Sequence, residues 1–341
     1  MKKFILLSLL LVAIHNNICA QTDYSANGKY SADVVEFRDI TDSSRSRNVP
    51  IKVHYPTEKG VYPLIIISHG AGGDWDTHFA LAHHFATHGY VVFCLEHVGS
   101  NTKRLKRTLR IFKNLNDMIH DGNEFLARPK DVSFAINQAI SWNQSNETLK
   151  NKIDIQHIGV LGHSYGAFTS MVIAGMNPSQ NWLEPRTNYG TGLLPSMKDK
   201  RVSACVALSP QGVGEPFFIQ ESFYSLSTPL LGITGTEDKQ QNGLTAKNRY
   251  DAFEYWGRTG NNVFVWLNNA HHLDFSDSEG GETHGMRSKN RKEVQKVVRA
   301  TSLIFFNQLL KNDISLKKLL NENGLKPYLS GEVNRVEVRM K

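Results

Sequence analysis

His157 to Ala174 reads HIGVLGHSYGAFTSMVIA. Ile158, Val160 and Leu161 make a short apolar run, which predicts a buried strand. Ala167, Phe168, Met171, Val172 and Ala174 continue as an apolar segment compatible with a helix. Between the two lies Gly162-His163-Ser164-Tyr165-Gly166. A serine on a strand-to-helix turn, with glycines two residues to either side, is the pattern of a nucleophile elbow. The glycines have a steric reason: the turn is so tight that a Cβ at 162 or 166 would meet neighbouring backbone. The Ser164 hydroxyl is then held exposed above the sheet edge, where the helix N-terminus favours developing negative charge. The competing reading is a small-residue turn with no chemistry.

Outward from this stretch, apolar runs alternate with helical patterns. Val34 to Ile40 and Ile51 to Tyr55 show partial alternation and predict half-buried antiparallel edge strands, with a turn at Asp42 to Asn48. Pro63 to Ile67 and Tyr90 to Leu95 are continuous apolar runs and predict strands buried on both faces. Val202 to Leu208, Leu230 to Thr234 and Val263 to Leu267 predict further strands. Helices are expected at Thr77 to Thr87, Arg128 to Trp142, Leu244 to Trp256 and Val294 to Leu310. Three stretches break the pattern and predict loop excursions: about 96–122, 177–200 and 209–228. Beyond Ile314 the tail reads as an uncertain helix, then a weak alternation from Glu332 to Val338. The whole predicts an α/β protein with a mostly parallel central sheet and helices on both faces. A single domain is expected over 21–341, with its core at about 45–310.

In parallel sheets the active residues lie beyond the carboxyl ends of strands. Four such ends carry unusual polar residues: His69-Gly70, Ser164, Asp238 and His272. A serine hydroxyl needs a base within hydrogen-bond reach, and a histidine base needs an acid to fix its tautomer. Ser164, Asp238 and His272 are therefore the candidate catalytic set, in the chain order serine, acid, histidine. Glu237 and Asp251 compete with Asp238. His271 competes with His272, and His284 is a minor alternative. The expected oxyanion donors are the backbone N–H groups of Tyr165, after the nucleophile, and Ala71, in the Gly-rich loop at 70–73. His78, His83, His84 and His88 read as helix surface residues. A zinc site from His83 and His84 with Glu96 or His97 has no recognised ligand spacing, so neither metal nor cofactor is expected. Trp182, Tyr189 and the aromatics from Phe217 to Tyr224 are candidates to line a substrate pocket, with ordinary loop packing as the alternative.

Hydrophobic residues make up 40% and charged residues 21% of the 341, which excludes a disordered chain. Lys2 and Lys3, an apolar run from Phe4 to Ile14, and Ala20 before Gln21 predict a secretory leader cleaved after Ala20. The apolar run is short for a membrane span, so an exported product without stable membrane insertion is expected. Ile18 stands where a small residue normally precedes a lipid-modified cysteine, which argues against lipid attachment at Cys19. A net charge of +7, two units of it in the leader, is too weakly basic and too dispersed to indicate nucleic-acid binding. The densest cluster, Lys103, Arg104, Lys106, Arg107 and Arg110, reads as a solvated helix face. Cys94 and Cys205 sit in apolar strand-like runs and read as buried free thiols.

The segments LIIISHGAGG, HGYVVFCLEHVGS, RPKDVSFAINQAI, GVLGHSYGAFTS, GTED and NAHHLDFSD, in this order, resemble the α/β-hydrolase superfamily. The resemblance is closest to the branch of platelet-activating-factor acetylhydrolase-like and dienelactone-hydrolase-like proteins. It implies Ser164 as nucleophile, Asp238 as acid and, through the His-x-x-Phe ending, His272 as base. Dienelactone hydrolases proper use a cysteine, so Ser164 argues against that reaction; secreted polyester hydrolases share the layout, but no cutinase-specific signature is present. The implied activity is that of an exported serine esterase acting on a small-molecule or lipid ester through an acyl-enzyme. Related alternatives are hydrolysis of phospholipids, polyesters or amides, or acyl transfer. The alternative of another class is a catalytically silent binding protein on the same fold.

Overall fold

The computed structural model describes residues 22–183, 192–239, 245–277 and 289–341. The predicted leader, Cys19, Tyr189 and His284 lie outside these residues. The strands are β1 (Ala32–Phe37), a short hairpin of β2 (Thr41–Asp42) and β3 (Arg47–Asn48), β4 (Ile51–Pro56), β5 (Tyr62–Ser68), β6 (Val91–Leu95), β7 (Ile153–His163), β8 (Val202–Leu208), β9 (Leu230–Glu237), β10 (Val263–His271) and β11 (Val336–Met340). All but the hairpin form one nine-stranded sheet in the order β1-β4-β6-β5-β7-β8-β9-β10-β11. From β6 to β10 neighbours are parallel; β1, β4 and β11 join antiparallel.

The helices are α1 (Phe79–Thr87), α2 (Thr102–Leu105), α3 (Ile111–His120), α4 (Gly122–Ser145), α5 (Tyr165–Ile173), α6 (Ala246–Ala252), α7 (Arg291–Leu310) and α8 (Glu322–Leu325). Side chains of a strand alternate between faces, so an apolar run is buried throughout only when both faces are covered. In β5, Leu64 and Ile66 join a core with Val132, Ile136, Phe168 and Val172 of α4 and α5. Ile65 and Ile67 point the other way, into a core with Leu81 and Phe85 of α1 and Val297, Ile304 and Phe306 of α7. The observed architecture is the α/β arrangement expected, a mostly parallel sheet between two helical layers.

Several boundaries differ. β4 is not an edge strand; it lies between β1 and β6, and five of its six residues are buried. The helix expected from Arg128 starts six residues earlier, at Gly122, and runs through Pro129, with the Asp121 side chain accepting from Asn123 N–H at its N-terminus. The weak alternation of the tail is β11, an edge strand whose half-buried residues give no clear period. His78 and His84 are buried rather than on the helix surface. Cys94 and Cys205 are buried free thiols on β6 and β8, which are separated by two strands.

Candidate active site

Ser164 sits between β7 and α5 with φ 57° and ψ −114°, a conformation strained for any residue but glycine. The glycines make this turn possible. A Cβ on Gly162 would lie 2.0 Å from Gly166 O, and one on Gly166 would lie 1.9 Å from Ser68 O. The backbone is fixed on both sides: Ser164 N–H donates to Leu208 O (3.0 Å), and the Gln211 side-chain amide donates to Ser164 O (2.9 Å).

β10 delivers His272 at its carboxyl end, as the first residue of a 3-10 turn over His272–Phe275. Its Nε2 lies 2.9 Å from Ser164 Oγ and its Nδ1 lies 2.8 Å from Asp238 Oδ1. An ionised carboxylate can only accept, so Nδ1 carries the proton and Nε2 is left to accept from the serine hydroxyl. The His163 ring, one residue before the nucleophile, steadies this turn: its Nε2–H donates to His272 O at 3.0 Å.

Asp238 follows β9 and is fully buried. Burial alone would raise its pKa, but the adjacent Arg249 and His272 outweigh that and hold the carboxyl well below its ordinary range. Arg249 Nη2 is 3.4 Å from Oδ1. Oδ2 accepts from Ser209 Oγ (2.5 Å) and Thr234 Oγ1 (2.7 Å). Both oxygens of the acid are thus engaged, and Arg249 is itself tied to the carbonyls of Asp238, Ser209 and Pro210.

The structure brings together Ser164, His272 and Asp238 and leaves Glu237 and Asp251 outside. Glu237 faces Lys239, and Asp251 pairs with Lys247 on the surface of α6. In the 70–73 loop, Gly72 N–H donates to Ser100 O and Gly73 N–H to Gly70 O. Ala71 lies between these constraints, and Tyr165 N–H is the first of α5, where no intrahelical acceptor exists. The suggested zinc set does not assemble: among the described residues no cluster could hold a metal ion, and His97 is bonded to Ser68 and Asp131. The aromatic excursion is mainly packing. Phe218 and Phe223 are fully buried, and the ring of Phe217 lies 5.5 Å from that of Tyr165 and 4.8 Å from that of Phe168.

Sequence reasoning missed Ser209, Thr234, Arg249 and His163. Only His163 carried a usable signal, its place beside the elbow serine.

A sequence model of the Chlorophyllase family matches residues 20–183, which include Ser164 and end before Asp238 and His272. A platelet-activating factor acetylhydrolase of Canis lupus familiaris is 30% identical over 136 residues, 32% of this chain and 31% of that protein. Cutinase est1 of Thermobifida alba is 24% identical over 139 residues, 40% of this chain and 38% of its own. Cutinase 1 of Thermobifida cellulosilytica is 24% identical over 137 residues, 40% and 44%. The chain therefore spans less than half the length of these relatives. The sheet order and the strand–elbow–helix turn give the chain the α/β-hydrolase fold, and these similarities agree with it.

Proposed function

We propose that this protein is an exported serine hydrolase that cleaves carboxylic esters. The observation that carries the reading is the continuous chain from Ser164 Oγ through His272 to a buried, ionised Asp238. Ser164 Oγ attacks the ester carbonyl carbon while its proton passes to His272 Nε2; Asp238 holds the ring and stabilises the imidazolium. The carbonyl oxygen becomes an oxyanion and is received by the N–H groups of Ala71 and Tyr165, each worth roughly 3 kcal/mol in the transition state. Collapse breaks the ester C–O bond, and the alcohol leaves with the proton from His272. Water, deprotonated by His272, then attacks the acyl-Ser164 carbonyl and releases the acid. No cofactor enters this sequence. The names of the relatives, an acetylhydrolase and cutinases, support hydrolysis of an acyl bond. Export rests on the leader read over residues 1–20, with cleavage after Ala20.

The test is hydrolysis of p-nitrophenyl esters from acetate to palmitate by the mature protein and by Ser164→Ala. Turnover by the wild type that falls at least about 10⁴-fold in the variant is expected. A folded wild type with no turnover on any chain length, or an equally active variant, contradicts the reading.

A further inference from the structure

A second serine–histidine–aspartate chain lies beneath the first. Ser68 Oγ is 2.9 Å from His97 Nε2, and His97 Nδ1 is 2.9 Å from Asp131 Oδ2. These are the spacings of the Ser164 set, yet Ser68, His97 and Asp131 have no solvent-exposed surface. No substrate reaches Ser68, so this chain has a structural task, and its far ends show which. Burial and the nearby Arg128 push the pKa of His97 and His69 well below the usual histidine value, so both rings are neutral and each has one donor nitrogen. His97 Nδ1–H donates to Asp131, whose other oxygen accepts from Arg45 and Arg47. His97 Nε2 therefore accepts from the Ser68 hydroxyl. The backbone N–H of His97 donates to His69 Nε2 (3.0 Å), so His69 Nδ1–H donates to Gly70 O (2.6 Å). The chain ends at the peptide that leads into Ala71.

Arg128 closes the structure from the other side. It is fully buried, on α4, and all three of its nitrogens are bonded. Nη2 donates to Ser68 Oγ (3.0 Å) and to the carbonyl oxygen of His69. Nη1 donates to Ser100 Oγ (2.7 Å), and Ser100 O accepts from Gly72 N–H (2.8 Å). The residues two before and one after Ala71 are thus both pinned to one guanidinium. Nε donates to Thr169 Oγ1 (3.1 Å), which in turn donates to Tyr165 O (3.1 Å). The guanidinium also lies over the Tyr165 ring, 4.4 Å from its centroid. A single side chain therefore touches both segments whose N–H groups face the reacting carbonyl in the proposed mechanism.

We propose that Arg128 is a positioning residue that sets the Ala71 and Tyr165 N–H groups as one oxyanion-binding unit, with Ser68 and His97 as its links to the loop. The inference rests on the ester-hydrolase reading of Ser164. Misplacing either donor weakens transition-state stabilisation and leaves ground-state binding nearly untouched. A thionoester, whose developing anion sits on a larger, weakly accepting sulfur, gains little from the two donors.

The experiment compares esters with the matching thionoesters for wild type, Ser164→Ala, Arg128→Met and Arg128→Lys. In Arg128→Met, kcat for the ester falls about 100-fold with KM within about threefold, and the ester-to-thionoester ratio of kcat falls in proportion. Arg128→Lys lies between, because an ammonium can reach the His69 carbonyl but cannot bridge to Thr169 as well. Should Arg128→Met fail to accumulate, Ser68→Ala and Thr169→Val each remove one hydroxyl link; each lowers kcat about tenfold with the same proportionate loss of ratio. A folded Arg128→Met with wild-type kcat, or a fall in kcat in any of these variants with the ratio unchanged, overturns the proposal alone. Wild-type protein lacking Ser164-dependent turnover overturns the functional reading and this proposal with it.

Discussion

Arg249 and Asp238 are an ion pair with essentially no contact with solvent, 3.4 Å apart, and the arginine also donates to three backbone carbonyls around the acid. Removing one partner of such a pair leaves the other charge buried and uncompensated. Arg249→Met is therefore expected to cost about 3–5 kcal/mol of stability, read as the shift of the urea midpoint. It also raises the Asp238 pKa, because Arg249 is the foremost cause of its lowering. Asp238→Asn keeps the shape, but with Ser209 and Thr234 donating to its amide oxygen it turns its NH2 towards His272 Nδ1 and reverses the tautomer; kcat is expected to fall about 10⁴-fold while the fold persists, checked by steady-state kinetics and circular dichroism.

The elbow glycines make a steric prediction. Gly162→Ala and Gly166→Ala would each drive a Cβ to about van der Waals overlap with a backbone carbonyl that cannot retreat, since both contacts fall near 2 Å. Each variant is expected to lose at least about 3 kcal/mol or to be insoluble, measured by denaturant unfolding beside Gly260→Ala, whose Cβ would meet nothing within 4 Å and which bears only the strain of an alanine at φ 78°, about 1–2 kcal/mol.

Stability should fall with acid before catalysis is considered. Burial lowers His54 and His78 to about 4 and His84 to about 3, from 6.5. A depressed histidine pKa means that the unfolded chain binds the proton more readily, so the contribution is fully present above pH 6.5 and lost as pH falls towards 4. Each shift is worth on the order of 3 kcal/mol. The low pKa of Asp238 acts in the same direction at still lower pH. Calorimetry from pH 7 to 4 is expected to show Tm dropping by more than about 10 °C. Replacing His84, whose ring nitrogens have no partner, by Leu should flatten that dependence; an unchanged slope would contradict the account.

Much of this was readable from local pattern. β5, β6 and β8 are apolar runs covered on both faces, and the elbow announces itself by two glycines that backbone contacts require. What the sequence hid has physical causes. The helix expected from Arg128 begins beside Pro129, a residue type favoured in a first turn, yet Pro129 lies in the eighth position of α4. His78 and His84 looked like surface residues because a polar type on a short helix normally is one, while here α1 is covered on nearly all sides and six of its nine residues are buried. The ligands of Asp238 come from β9, the start of the 209–228 stretch and α6, three segments with no shared spacing. Arg128 belonged to a quoted motif, but only folding puts it beside Ser68, Ser100 and Thr169.

The thiols give a simple check on β6 and β8. Burial pushes the Cys205 thiol up to about 12 and the Cys94 thiol higher, so neither is a thiolate near neutral pH. Ellman's reagent should find no reactive thiol in the native mature protein and two after denaturation without reductant. A disulfide, counted as two thiols missing from the denatured protein, would contradict the strand order.

The central claim is that Ser164 is a nucleophile activated by His272. Its most direct test is reaction with a fluorophosphonate, in which Ser164 Oγ would displace fluoride from phosphorus, followed by peptide mapping by mass spectrometry. The account predicts one covalent adduct, on the peptide carrying Ser164, absent in Ser164→Ala and slowed at least about 10³-fold in His272→Ala. A folded wild-type protein that takes up no label, or takes it elsewhere, would contradict it.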